Sequence, residues 1–433
     1  TGVQTCALPI LMFFFYNFLI NISYPIYAII IYLRTFIGKE DKKRFIEKIL
    51  ISKKKLLNKN NKKIIWFHSA SIGEIKSIIP VIKELLKNKN YNIILTSVTL
   101  SSSIIFRKEF KKNKNIFHRF LPFDKKSLVQ KFLFRWSPNL IIFVDSEIWP
   151  NFFQQINIKN IPLILLNARI TNKTMNKWLV LKKFSNKVFS FINLSLASSL
   201  SSYKNLKKLG VKKIKYFGNL KFILKPDKNI KFKNSTIRSL KNIKVWSAAI
   251  THSGEDEVCL LAHKKVLAYF KNSLLIIIPR HISRTSNIQK KSNQLNFKTQ
   301  VLNKETVIKK GTQVVIVNYF GSIQKYYSCS NSVFIGKSLL NKFRDEGGQN
   351  PLEAVYQGCK IYYGPFVYNF KEIYEYLSKK SLAKKTINSH ELSKELIKDL
   401  QKSKRINSNR SKEIQSYGSR IFKLSVNELK KYL

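Results

Sequence analysis

The chain has 433 residues, 44% of them hydrophobic, which excludes a disordered protein and suits two domains of about 200 residues each. Lys and Arg number 79 against 24 Asp and Glu, a net charge of +55. Lys, Asn and Ile recur in nearly every segment, so the charge reads as compositional bias as much as attraction to a polyanion, and no RRM- or KH-like signature points to nucleic acid. The four cysteines make no CxxC pair and the six histidines no HExxH, so neither a disulfide framework nor a metal site is expected.

Residues 1–10, TGVQTCALPI, contain no Lys or Asn and match one reading frame of a common sequencing adapter; they are expected to be an artefact, with the native start near Met12. From Leu11 to Phe36 the chain is largely apolar, broken by Asn17, Asn21, Ser23, Pro25 and Arg34, and carries Tyr16, Tyr24, Tyr27 and Tyr32. Residues 11–37 are therefore expected to form a membrane anchor or an interfacial helix. Lys39, Lys42, Lys43, Arg44 and Lys48 follow at once, which by the positive-inside rule keeps the bulk of the protein cytoplasmic.

Short apolar runs then alternate with amphipathic ones. Ile64–Phe67, Tyr91–Thr96, Leu140–Val144 and Leu163–Leu166 read as strands, and Ile75 to Leu86 has helical spacing with Pro80 inside it. Phe222–Ser235, rich in Lys and Asn, reads as a linker. Alternation resumes with Val245–Ala248, a helix near Asp256–Tyr269, and strands Leu274–Ile278, Val314–Val317 and Val333–Ile335. The pattern predicts an α/β protein of two doubly wound, Rossmann-like domains facing a central cleft, the first over 38–225 and the second over 226–433.

Five loops carry candidate chemistry. His68 to Glu74 leaves a strand and opens a helix; Gly73 permits a tight turn or close approach of a ligand, and Glu74 sits where the helix dipole favours its ionised form. Such a carboxylate takes a proton from a hydroxyl, or merely ends a helix. Asp145-Ser146-Glu147-Ile148-Trp149-Pro150 puts two carboxylates at the mouth of a sheet, where a plain N-cap is the alternative. Gly218-Asn219-Leu220-Lys221 brings a cation near the end of the first half, as a stabiliser of departing charge or a solvated lysine. Pro279-Arg280-His281 places an arginine at a strand end, able to fork onto a phosphate or a carboxylate. In Gly347-Gly348-Gln349-Asn350-Pro351-Leu352-Glu353, Asn350 suits the N-cap, Pro351 the first helical position and Glu353 the third, a start that caps a helix and favours an anion.

Taken in order, these motifs resemble the Kdo (3-deoxy-D-manno-octulosonic acid) transferases of lipopolysaccharide core synthesis, glycosyltransferase family 30. The match runs from about Phe13 to Leu377. It includes Trp66 to Glu74, Leu121-Pro122-Phe123-Asp124, Ser146 to Asn151, Leu166-Asn167-Ala168-Arg169, Gly218 to Lys221, Thr251-His252-Ser253-Gly254-Glu255, Ile278 to His281, Gly347 to Glu353, and Gly364-Pro365 with Asn369-Phe370. The resemblance implies a glycosyltransferase-B fold and an inverting transfer of Kdo from CMP-Kdo to a lipid A precursor, lipid IVA. The work would be done without a metal or other cofactor, on an anionic membrane surface, at the cytoplasmic face of the inner membrane of a Gram-negative bacterium. It implies Glu74 as general base and Glu147 and Lys221 as transition-state stabilisers. Pro279, Arg280, the Phe320-Gly321-Ser322 turn and Asn350, Pro351, Leu352 and Glu353 would hold the CMP part of the donor. The sequence departs from the family at Gln349, where His is usual, near Ser322, where an acidic residue is usual, and at Asp145-Ser146, which replaces Glu-Thr. Two other readings stay open on the residues alone: a glycosyltransferase-B enzyme using another nucleotide sugar, and a basic RNA-binding protein.

Overall fold

The computed structural model describes residues 2–52, 62–223, 240, 242–321, 323–401 and 406–433. The chain divides into two compact units, one of Thr1–Leu224 with Gly418–Leu433 and one of Lys225–Tyr417. Each is built on its own seven-stranded parallel sheet.

In the first unit the strands are β1 (Lys63–His68), β2 (Tyr91–Ser97), β3 (Ile116–Phe120), β4 (Leu140–Val144), β5 (Leu163–Ala168), β6 (Leu194–Ala197) and β7 (Ile214–Tyr216), in the order β3-β2-β1-β4-β5-β6-β7. β4 and β5 are buried along their whole length, as strands covered on both faces must be. Both connections at the centre leave from β1 and β4 in opposite directions across the sheet, so the order reverses between these two strands. The carboxyl ends flanking such a switch point are where open α/β sheets bind ligands.

The helix Ile72–Leu85 packs Ile75, Ile78, Val81, Ile82 and Leu85 on that sheet at helical spacing. It continues through Pro80; the residue whose carbonyl loses its partner there, Lys76, is exposed. Gly73 is not in the left-handed region, and a Cβ there would meet nothing nearer than Ser71 Oγ at 4.0 Å. Glycine is thus not needed for a tight turn; it leaves open space above the first turn of the helix.

The second unit holds β8 (Lys244–Thr251), β9 (Ser273–Pro279), β10 (Thr299–Leu302), β11 (Val314–Val317), β12 (Ser332–Ile335), β13 (Lys360–Tyr363) and β14 (Ala383–Lys385), in the order β10-β11-β9-β8-β12-β13-β14. Its switch point lies between β8 and β12. Trp246, Leu275, Ile277, Ile316 and Phe334 form its core with the helix Glu255–Tyr269.

Two expectations need correction. The sequence reading kept 226–433 together, yet Gly418–Leu433 pack with the first unit: a Cβ on Gly418 would stand 2.0 Å from Phe222 O, and Lys215 Nζ pairs with Glu428 Oε1 at 2.7 Å. The predicted linker Phe222–Ser235 begins too early, since Phe222 and Ile223 are buried in a short turn, Leu220–Ile223; the rest of that linker lies outside the described residues.

Candidate active site

In the first unit the chemistry gathers at the ends of β1 and β4. Asp145 leaves β4 in the left-handed region (φ 64), its N–H bonded to Leu166 O at 3.0 Å. Two residues on, Glu147 Oε2 accepts from Trp149 Nε1 at 2.9 Å and lies 3.3 Å from His68 Nε2. His68, the last residue of β1, is fully buried. Its Nδ1 is 2.9 Å from Thr96 Oγ1, which in turn accepts from Trp66 Nε1 at 2.8 Å. Indole only donates, so the Thr96 hydroxyl proton goes either to His68 Nδ1 or to Phe67 O at 3.3 Å; given to His68, it leaves an Nε2–H facing Glu147. Burial works against a charge on Glu147, but the hydrogen bonds from His68 and Trp149 outweigh it, and the carboxyl sits below its ordinary range.

Glu74 behaves oppositely. Ser71 caps the helix by accepting from Glu74 N, and Glu74 answers through Oε1, bonded by Ser71 Oγ at 2.8 Å, and Oε2, bonded by Ala70 N at 2.7 Å. This is a capping box in which Glu74 reaches one residue further back than usual. The helix dipole and both bonds favour the anion. Burial, joined by the nearby charges of Asp145 and Glu147, overrides them and lifts the carboxyl to about 7. Asp145 is itself buried, with Oδ1 lacking any hydrogen-bond partner, and burial raises it against the pull of Lys221 and Arg169. Lys221 is carried by the turn Leu220–Ile223, which Asn167 at the end of β5 fastens through a 2.9 Å bond from Leu220 N to its Oδ1. The structure thus brings Glu74, Glu147 and Lys221 around Asp145. Carboxyls driven apart in this way can hold one proton and one charge at the same pH.

In the second unit the ends of β8 and β12 are tied together by Glu255. Its buried carboxylate accepts from His252 N (2.9 Å), Lys337 N (2.8 Å), Ser338 N (2.9 Å) and Leu339 N (3.0 Å). Arg280, exposed at the end of β9 just after Pro279, donates its N–H to Thr251 O at 3.1 Å. Beside it His252 has a buried Nε2 with no hydrogen-bond partner. Burial first, then the charges of Lys337, Arg284, His281 and Lys342, push His252 down to about 4. This is a cationic cluster at a sheet's switch point, suited to an anionic ligand.

Asn350 Oδ1 accepts from Leu352 N at 3.1 Å, but the helix that follows is short, Leu352–Tyr356 with Glu353 in its first turn, and its N-cap is Pro351, one residue later than the sequence reading placed it. The glycines before it are not free donors. Gly347 N bonds to Phe343 O and Gly348 N to Lys337 O, each at 2.7 Å, and a Cβ on Gly347 would stand 2.3 Å from Phe366 O. Close packing demands glycine there, and the loop is moored to Lys337. Phe320 is 84% exposed, and a Cβ on the neighbouring Gly321 would stand 3.0 Å from the Tyr319 ring; Ser322 lies outside the described residues. Among the described residues no group of His, Cys, Asp or Glu is arranged to hold a metal ion.

Residues 43–224 match the family model described as 3-deoxy-D-manno-octulosonic-acid transferase (kdotransferase). The chain is 30% identical to a 3-deoxy-D-manno-octulosonic acid transferase of Aquifex aeolicus over 362 residues, covering 82% of this chain and 92% of the relative. It is 27% identical to the Rickettsia prowazekii transferase of the same name over 467 residues, covering 98% and 97%.

The chain belongs to the Kdo transferase family.

This Kdo transferase is therefore a glycosyltransferase. Solved structures share its fold: a UDP-N-acetylglucosamine 2-epimerase described as putative, from Listeria monocytogenes (TM-score 0.58, 12% identity, 85% of this chain and 95% of that one), and an Anabaena protein in complex with UDP and glucose (TM-score 0.54, 13% identity, 85% and 100%). These agree with the glycosyltransferase-B class of two Rossmann-like domains.

Sequence reasoning flagged Asp145 as one of two carboxylates and quoted His68, His252 and Glu255 only inside their motifs; it missed Thr96 in the transferase's first unit and Lys337 in its second. The readable signal was position. Each stands at or just after a strand end, and Thr251 to Glu255 and Gly336-Lys337 follow the two strands that flank a switch point.

Proposed function

We propose that this Kdo transferase moves Kdo from CMP-Kdo to a hydroxyl of a lipid A precursor, lipid IVA, with inversion, at the cytoplasmic face of the inner membrane. The first unit handles the acceptor and the second the nucleotide. Glu74 takes the proton of the attacking hydroxyl as its oxygen bonds to the anomeric carbon. The bond from that carbon to the CMP phosphate oxygen breaks, and CMP departs with the electron pair. Attack opposite the leaving group inverts the centre. Glu147, kept ionised by His68 and Trp149, faces the positive charge that develops on the sugar, and Lys221 offsets negative charge. Pro279, Arg280, the turn at Phe320-Gly321 and Asn350 to Glu353 hold CMP, with Lys337 and His252 beside the anionic groups of the donor.

The observation that carries this reading is the Glu74 carboxyl, held at about 7. A general base is most effective when its pKa lies near the working pH. The test is to incubate the purified enzyme with lipid IVA and either CMP-Kdo or UDP-sugars and weigh the lipid by mass spectrometry. A mass gain of Kdo with CMP-Kdo alone is expected; product formed only from a UDP-sugar would refute the donor and the family mechanism together.

A further inference from the structure

The apolar helix Gly2–Phe36 has two opposed faces from Leu11 onward. One is clasped to the first unit turn after turn. Phe13 is 4% exposed, its ring 4.9 Å from that of Phe184. Tyr16 donates to Asp124 Oδ2 at 2.8 Å, and Tyr24 donates to Ile49 O. Tyr27 stacks on Phe123 at 4.2 Å, Ile31 is buried, and Arg34 pairs with Glu40 at 3.0 Å. The other face is a continuous stripe of Phe14, Phe18, Ile22, Ile26, Ile29, Leu33 and Phe36, all about half exposed or more.

The 26 residues Leu11–Phe36 are long and apolar enough to cross a membrane. The clasp argues against crossing. If the helix spanned while docked, Asp124 and Lys125, whose Nζ lies 4.2 Å over the Tyr24 ring, would be dragged to the depth of its middle, with irregular backbone around them. Hydrocarbon does not tolerate charged groups and unpaired backbone there. If it undocked, Phe13 would leave the core, and Asp124 would lose a donor. That carboxyl also accepts from Asn151 N at 3.1 Å and Phe152 N at 2.9 Å, at the start of the helix Pro150–Ile158 that follows Trp149.

We infer that this helix is an in-plane element of the first unit, lying along one leaflet with its exposed stripe among the acyl chains, and does not cross the bilayer. A second apolar point adjoins it. Val180 is 81% and Leu181 52% exposed, at the turn leading into the helix Lys182–Ser190, whose Phe184 receives Phe13. Lys177, Lys182 and Lys183 rim that turn, a charge that matches an anionic headgroup layer. The inference rests on the reading that the enzyme works at a lipid surface.

The test uses the full chain with Cys6 and Cys329 changed to Ser, the buried Cys259 and Cys359 left in place, and one new cysteine each as Leu11→Cys, Ile22→Cys and Phe36→Cys. Each is labelled with a thiol-reactive fluorophore and bound to vesicles of phosphatidylcholine and phosphatidylglycerol, and depth is read by brominated-lipid quenching. All three probes are expected at one shallow depth, within about 10 Å of the headgroups. Ile22→Cys at the bilayer centre with Leu11→Cys beyond it would overturn the inference. In a second arm, a reducible bis-thiol crosslinker joining Phe13→Cys to Phe184→Cys, whose native rings touch, locks the helix to the domain. The locked protein is expected to bind vesicles and transfer Kdo as its reduced form does; binding only after reduction would equally overturn it. Failure of the unmodified protein to bind these vesicles would remove the membrane reading itself, leaving the soluble transfer assay to judge the chemistry.

Discussion

Replacing Glu74 by Gln separates three things this side chain does. Gln keeps the capping box, because its amide oxygen still accepts from Ala70 N or Ser71 Oγ. It cannot take a proton, so transfer should fall by about 10²- to 10⁴-fold, the usual contribution of a general base. Stability should move the other way. The folded carboxyl is held at about 7 against an ordinary 4.5, chiefly by burial. A raised carboxyl lends stability that is fully present below 4.5 and is lost as pH rises through 7. The loss amounts to ~3 kcal/mol in the wild type by pH 8. Glu74→Gln, with nothing to ionise, escapes it. The variant should therefore melt several degrees above the wild type at pH 8 and much closer to it at pH 5. Thermal unfolding at the two pH values, beside a transfer assay from pH 5.5 to 8.5, checks both arms. Wild-type transfer should rise with pH through about 7, as Glu74 ionises. A variant melting no higher than the wild type at pH 8 would show that the carboxyl is not held protonated by its surroundings; near-normal turnover would remove Glu74 from the base role.

Thr96→Val removes the hydroxyl between Trp66 and His68, frees the imidazole to turn its lone pair on Glu147, and should slow transfer by about 10- to 100-fold with little change in KM, while Thr96→Ser restores it. Carbon-13 titration of the Glu147 carboxyl should move upward in the Val variant only. Lys337→Ala should weaken CMP-Kdo binding by about tenfold, with a smaller loss at high salt, as measured by calorimetry. Gly347→Ala drives a methyl into Phe366 O and Phe343 O, so the second unit should lose about 3 kcal/mol or more and donor binding with it, read by denaturant unfolding and nucleotide titration.

Much of this protein is written in short-range pattern. Runs such as Leu140–Val144 and Val314–Val317 are apolar throughout and stand between amphipathic stretches, which specifies buried parallel strands without any knowledge of their neighbours. Ser71 and Glu74, three apart before an apolar helical run, specify a helix start in the same local way, whereas at Asn350-Pro351 the local pattern places the start one residue early. The motif order along the chain was enough to mark the family.

The tertiary structure decided what depends on residues far apart. The helix end said Glu74 should be ionised; Asp145 and Glu147, brought in by a strand more than sixty residues later, and the burial they share reverse that. His68 looks like any strand-end histidine until β2 sets Thr96 against it and β4 delivers Glu147. Gly347 and Gly348 precede a helix start whose pattern favours an anion, but Phe343, Phe366 and Lys337 use their space and their N–H groups. The same holds at the chain's ends, where an apolar helix is clasped by Asp124 and Phe184 and the final residues return to pack on Phe222. Backbone propensity and periodicity are local energies, and a sequence displays them directly. Desolvation, charge coupling and close packing are set by neighbours that only the folded chain brings together.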